Sequence, residues 1–227
     1  MKTSYLAQIA AVLRKELLVE WQQPARISGL FFFAFALVLM VAFASPSEAA
    51  LRSQAGGVLW IGLLLASTRS MDQSWQTELV HDAAEGLVLW PVEPLAIYYG
   101  KALANTLVLI TVALCLTPPL IAMYGVDFRG DPLQFLSFVV LGTAALAAPG
   151  TLYGAIAAKA RGSSVLLPLL LFPLVVPALL AAARGTTVVL EGDPMLQGNA
   201  WLGLLVAFNA IHWSLSGLFF GRVLEDG

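Results

Sequence analysis

The chain is poor in charge: 11% of its 227 residues are Asp, Glu, Lys or Arg, where a soluble domain carries about a quarter. With 59% hydrophobic residues and a mean hydropathy of +0.83, that shortfall excludes an ordinary water-soluble globule. Cysteine is nearly absent. The single Cys115 cannot close an intramolecular disulfide, and its place in an apolar run points to packing. Histidine occurs only at His81 and His212, and neither an H-E-x-x-H zinc motif nor a G-x-x-x-x-G-K-[ST] phosphate loop is present. Any ATP used with this chain therefore belongs to another subunit. A net charge of -2 exerts no general pull on nucleic acid.

What is abundant is hydrocarbon in long runs, and six of them read as membrane spans, the second a short one bounded by Arg52 and Arg69. They cover about 27–44, 55–68, 97–124, 135–158, 164–183 and 200–221. The first holds eleven Ile, Leu, Val or Phe residues, which favour insertion by about 3 to 7 kcal/mol. Ala42-Phe43-Ala44 has the look of a signal-peptidase site. The 26 residues before the run carry Glu16 and Glu20 and form a helix of their own, unlike a short basic leader, so an uncleaved anchor is expected. In that preceding segment, 4–23, Leu6, Ile9, Leu13, Leu17 and Trp21 recur at spacings of three and four while Gln8, Lys15, Glu16 and Gln22 fall elsewhere on the wheel. This pattern predicts an amphipathic helix in the interface plane, ended by Pro24. Prolines 118, 119, 149, 168, 173 and 177 interrupt the later runs, and the small-residue spacings Gly150/Gly154 and Gly217/Gly221 invite close helix approach.

An even number of spans puts both termini on one side. Placing them in the cytoplasm leaves Lys2, Arg14, Lys15, Arg26, Arg69, Lys101, Lys159, Arg161 and Arg222 inside and only Arg52, Arg129 and Arg184 outside, which favours N-in, C-in. The expected fold is an all-α membrane protein of six transmembrane helices, and 184–199 is expected to be an external loop with a short surface helix. The spans contain no Asp or Glu, and no Lys or Arg away from their ends. Proton-driven carriers and intramembrane aspartyl proteases need ionisable groups at depth, so both are disfavoured. His212 is the one ionisable group near mid-membrane. It reads either as a haem ligand or substrate contact, or as a neutral imidazole hydrogen-bonded to a neighbouring helix.

The one polar island, Arg69 to Lys101, holds two basic and five acidic residues. Arg69 and Lys101 mark its membrane boundaries. A helix between Asp72 and Glu85 would align Trp75, Leu79 and Ala83 on one face and Glu78, Asp82 and Glu85 on another, with Gly86 as its C-terminal cap. A solvated charged face accounts for such a stripe. So does a docking helix, and nothing else assigned to the cytoplasm is large enough to receive a power source.

An N-terminal interfacial helix, six spans and a charged segment after the second span resemble the permeases of ATP-binding cassette exporters. Glu85-Gly86, the apolar run Leu87 to Pro91, and Ile97, Gly100, Lys101, Leu103, Ala104 and Asn105 are similar to the matching segment of the CcmB-type haem exporter B permeases of cytochrome c maturation. The early Arg14-Lys15-Glu16 and the later Gly192-Asp193-Pro194 also fit. The first half of the island, from Met71 to Gly86, is less charged than that family's. The resemblance implies a single permease domain over 1–227 in a bacterial inner membrane, with segment 72–94 as the coupling element. It implies a homodimer paired with a separate ATPase that carries the ATP and Mg, beside haem-handling membrane proteins and a periplasmic haem chaperone. Haem is then cargo and not a firmly bound cofactor, and Glu78, Asp82, Glu85, Gly86 and Pro91 are the expected coupling residues. An exporter permease for a lipid, drug or polysaccharide, and a non-transporting membrane scaffold, are the alternatives.

Overall fold

A computed structural model describes residues 4–79, 93–160, 165–193 and 195–225. The described residues form seven helices: α1 (Tyr5–Gln22), α2 (Pro24–Ala44), α3 (Glu48–Leu79), α4 (Pro94–Tyr124), α5 (Pro132–Lys159), α6 (Leu166–Glu191) and α7 (Gly198–Glu225). Six of these, α2 to α7, are long and apolar enough to cross a membrane. Proline opens α2, α4 and α5 in the first turn, where its missing N–H costs nothing.

The bundle is built around α5, which touches α3, α4, α6 and α7. Within its most apolar window 72% of α5 is buried, against 22% for α7, so α5 is the core and α7 a wall. Its sequence suits that place. The run AALAAPGTLYGAIAA presents small side chains, and neighbouring helices close on them. An added Cβ at Gly150 would lie 2.1 Å from Met71 Sδ, and one at Gly154 would lie 2.8 Å from Trp75 Cδ1. The Gly150/Gly154 spacing is thus the groove that receives α3. Gly217 likewise faces Tyr99, whereas Gly221 faces open space.

Three sequence expectations change. Helix α3 does not stop near residue 68 but continues through Arg69 and Asp72 to Leu79. The first part of the expected coupling helix is therefore an extension of the second span. No proline or glycine occurs between Gly62 and Gly86, so nothing in the backbone chemistry ends the helix where charge appears. Helix α6 likewise runs on through 184–191 to Glu191, a stretch expected to be loop. Gly185 packs against Phe138, and Trp60 Nε1 donates to Thr186 Oγ1 at 2.9 Å, so packing overrides the weak helix propensity of Arg-Gly-Thr-Thr-Val-Val. The remaining connection is short: Gly192 takes φ +103° as the C-cap, and Asp193 accepts from the backbone N–H groups of Gln197 and Gly198 at 2.7 and 2.9 Å, satisfying donors at the start of α7. Finally, Cys115 is exposed, on the outside of α4 and not in the packing.

The prolines at 118, 119, 149, 173 and 177 all lie inside continuous helices. Side chains from other helices reach carbonyls of α5 on either side of Pro149: Trp213 Nε1 donates to Ala144 O at 3.2 Å, Tyr98 OH to Ala148 O at 3.1 Å and Trp75 Nε1 to Thr151 O at 3.1 Å. Such bonds tie α3, α4 and α7 to the backbone of α5 in a low-dielectric interior.

Candidate functional site

At one end of the bundle the ends of α3, α5 and α7 meet the start of α4, and α1 packs on α4. Helix α1 turns its two carboxylates inward and leaves Arg14 and Lys15 exposed. Its one buried residue is Glu16, while Leu6 is 73% and Trp21 85% exposed. The apolar stripe that was expected to seek lipid is split: Leu6 and Trp21 face out, and Ile9, Leu13 and Leu17 are half-buried. Helix α1 packs on α4, where an added Cβ at Gly100 would lie 2.6 Å from Val12 Cβ, so only glycine permits this crossing. Gln8 Oε1 accepts the backbone N–H of Glu93 at 3.0 Å, the residue that caps α4.

Beneath the crossing, Lys101 Nζ lies 3.0 Å from Glu16 Oε1 and 3.2 Å from Ser74 Oγ, and it stands 4.7 Å above the Trp75 ring centroid. The Lys101 side chain is 1% exposed. Lys15 Nζ also reaches Glu16 Oε1 at 3.0 Å. Three helices, α1, α3 and α4, thus converge on one ammonium. Burial by itself pushes the Glu16 carboxyl up, but Lys101 and Lys15 outweigh it and hold the group below the ordinary glutamate range. One turn along, burial keeps Glu20 above its ordinary range in spite of Arg26, whose guanidinium lies 3.2 Å away.

A layer of rings continues the junction into the bundle. Trp75 and Tyr98 both pack on Phe220, with centroids 5.8 and 5.5 Å apart, and Tyr99 stacks on Trp213 at 6.1 Å. Asn105 Nδ2 donates to Thr151 Oγ1 at 3.0 Å. Any displacement of the last turns of α3 or the first turns of α4 therefore meets α1, α5 and α7 through well-packed, directional contacts.

The expected site residues are distributed unevenly over this structure. Lys101 lies at its centre. Arg69 is exposed on α3, its guanidinium 5.6 Å from the Phe33 ring centroid. Glu78 falls in the final turn of α3, with its side chain outside the description. Asp82, Glu85, Gly86 and Pro91 lie outside the described residues. His212 Nδ1 donates to the Phe208 carbonyl at 2.9 Å and its ring stacks on Phe208 at 3.8 Å. No second metal-ligating side chain joins it: among the described residues there is no group of three or more His, Cys, Asp or Glu able to hold a metal. The sequence reading missed Glu16, Ser74 and Trp75 as partners of Lys101. The available signal was Lys101 itself, a cation four residues into an apolar span, which demands a counter-charge.

Six helices long and apolar enough to cross a membrane define a polytopic membrane protein. The comparisons agree. The family described as CcmB protein matches residues 7–225, and the chain belongs to that family. It is 31% identical to "Heme exporter protein B" of Pseudomonas aeruginosa over 199 residues, 86% of this chain and 88% of the relative. It is also 31% identical to the protein of the same name from Rhodobacter capsulatus over 157 residues, 69% and 71% of the two chains. With that of Escherichia coli K12 it shares 28% identity over 204 residues, 88% and 90%.

Proposed function

We propose that this chain is the membrane subunit of a haem exporter in c-type cytochrome biogenesis, driven by a separate ATP-binding cassette subunit. The observation that carries the reading is the match to the CcmB family over almost the whole length, together with relatives named heme exporter protein B. The positive-inside count puts the α1 end in the cytoplasm, N-in and C-in, in the bacterial inner membrane. The ATPase docks on the segment between α3 and α4, with Glu78, Asp82, Glu85, Gly86 and Pro91 in contact or in support. ATP and Mg bind to that partner and not to this chain. What supports the coupling role is the junction itself. Both helices that flank the docking segment carry the junction within about two turns of it, Ser74 and Trp75 on α3 and Lys101 on α4, and Lys101 is bonded to Glu16 of α1. A push on α3 and α4 would then tilt α1 and the α5/α7 layer together. The work done is haem transfer across the membrane or release of a haem-loaded periplasmic chaperone, within a homodimer beside haem-handling membrane proteins. His212 is a haem contact in this reading, with Nδ1 held by Phe208 and Nε2 left to face the cargo.

The test is affinity purification in mild detergent. An ATP-binding cassette protein and haem-handling proteins are expected to come with the chain, and Glu78→Lys with Asp82→Lys is expected to lose the ATPase while membrane insertion persists. Unchanged ATPase recovery from the double variant would remove the docking assignment. Recovery of neither class of partner from the wild-type chain would remove the proposed function.

A further inference from the structure

On the outer face of α2 and α3 an apolar groove of about 120 Å³ runs between Phe33, Ala36, Leu37 and Met40 on one wall and Gly62 and Leu65 on the other. Both walls follow helical periodicity. Phe33, Leu37 and Met40 are spaced by four and three on α2, and Gly62, Leu65 and Arg69 by three and four on α3, so each set shares one face. Gly62 and Ala34 are small residues that line the groove, an added Cβ at Gly62 lying 3.5 Å from Ala34 Cβ. Met40 is 70% exposed, so the groove opens outward. At its upper end, one turn beyond Leu65, Arg69 lies over the Phe33 ring. Arg69 is exposed and has no carboxylate partner among the described residues, in contrast to Arg26 and Arg129, which pair with Glu20 and Asp127.

An apolar channel ending in a guanidinium with no carboxylate partner among the described residues fits a molecule with a hydrocarbon chain and an anionic head. We propose that this groove is a binding site for one acyl chain of an anionic phospholipid, with the phosphate held by Arg69. Size and charge both select the occupant. A cavity of about 150 Å³ admits a benzene-sized body, so about 120 Å³ takes a stretch of acyl chain and is too small for a tetrapyrrole. Arginine's planar fork matches a phosphate bidentately, and it can do so while its face stays on Phe33. The head lies at the same end as Glu16 and Lys101, so the lipid belongs to the leaflet that faces α1. Held there, it fastens α2 to α3 close to where α3 enters the junction.

The site is tested with the full chain reconstituted in vesicles of phosphatidylcholine with and without phosphatidylglycerol, followed by native mass spectrometry of the lipid retained. Wild type is expected to keep phosphatidylglycerol in preference to phosphatidylcholine. Arg69→Gln should lower that retention roughly tenfold, the scale of one lost charge-assisted contact, and Arg69→Lys should keep part of it. Ala36→Phe fills the groove from its exposed wall without touching the core, and is expected to lower retention with Arg69 intact. Glycerol phosphate alone should not bind, since it lacks the chain. Equal retention of both lipids, or an Arg69→Gln variant that retains phosphatidylglycerol like wild type, overturns the proposal. So does copy-to-copy crosslinking through Met40→Cys in a Cys115→Ala background, which would make the groove an interface between two chains. Displacement of the lipid by added haem, with a Soret shift that Arg69→Gln abolishes, would also overturn it.

Discussion

The two ends of the bundle handle charge in opposite ways. At the α1 end, Lys101 is enclosed by α1, α3 and α4, with Glu16 as its counter-ion, and Glu20 and Arg26 are each only 13% exposed. At the other end the pairs Arg52 with Glu48 and Arg129 with Asp127 are at least half exposed. An exposed pair exchanges water for a partner of similar worth, so it adds little. A buried pair is different: assembling it yields little net stability, but removing one member strands a charge away from water. The α1 end is therefore the brittle end, and its brittleness connects helices that have no covalent reason to move together.

The largest expected effect breaks that contrast directly. Lys101→Met leaves Glu16 buried with Lys15 as its remaining bonded cation, and should cost about 3 kcal/mol, the low end for a stranded charge. Thermal unfolding in detergent would register the loss, and Glu16→Gln combined with Lys101→Met should recover most of it. Next in size is Gly142→Ala in α5, whose added Cβ would lie 2.0 Å from Trp60 Cη2; overpacking of this kind costs roughly 1 to 3 kcal/mol, read by the same melt. Trp60→Phe keeps an aromatic ring but loses part of the buried indole and its bond to Thr186, and is expected to cost about 1 to 2 kcal/mol. The smallest effect belongs to the other end. Arg129→Ala should change stability by less than about 1 kcal/mol, and a change as large as that of Lys101→Met would erase the distinction between the ends.

Acid sharpens the comparison further. The Glu16 carboxyl is held below its ordinary range, so its contribution is complete above the unfolded pKa and is lost as pH falls through the lower folded value. Glu20 is raised by burial and acts with the opposite sign: its contribution is present at low pH and declines as pH rises through the folded value. Hydrogen exchange of α1 amides should thus stay slow on mild acidification and quicken only once Glu16 protonates. In Lys101→Met the quickening should begin at higher pH, because the main charge that depressed Glu16 is gone. An α1 whose exchange follows the same pH profile in both proteins would show that Lys101 does not set its docking.

Much of this fold was legible in the chain. The six spans, the N-terminal helix and its end at Pro24 all follow from hydropathy, periodicity and proline, which act locally. Boundaries were less legible where local signals and packing disagree. Arg184 to Leu190 reads as loop by composition, yet Gly185 and Thr186 are held in α6 by Phe138 and Trp60. The charged start of the island reads as a separate element, yet it is the end of α3. Of the candidate site, Lys101 was visible and its partners were not, because Glu16 sits 85 positions away and on a helical wheel looks like a solvated residue.

By itself, then, the sequence determined that the chain lives in lipid and how many of its runs can cross it, and its motifs pointed to the family it belongs to. The first two rest on the free energy of moving side chains between water and hydrocarbon, a property that adds residue by residue; the third rests on residue types matched in order along the chain. Only the tertiary structure decided that α1 turns its carboxylate inward, that α5 is the core, and that Lys101 joins three helices. Those depend on which surfaces face one another. A charge is solvated or buried, and a glycine is idle or indispensable, according to what the rest of the chain brings up against it.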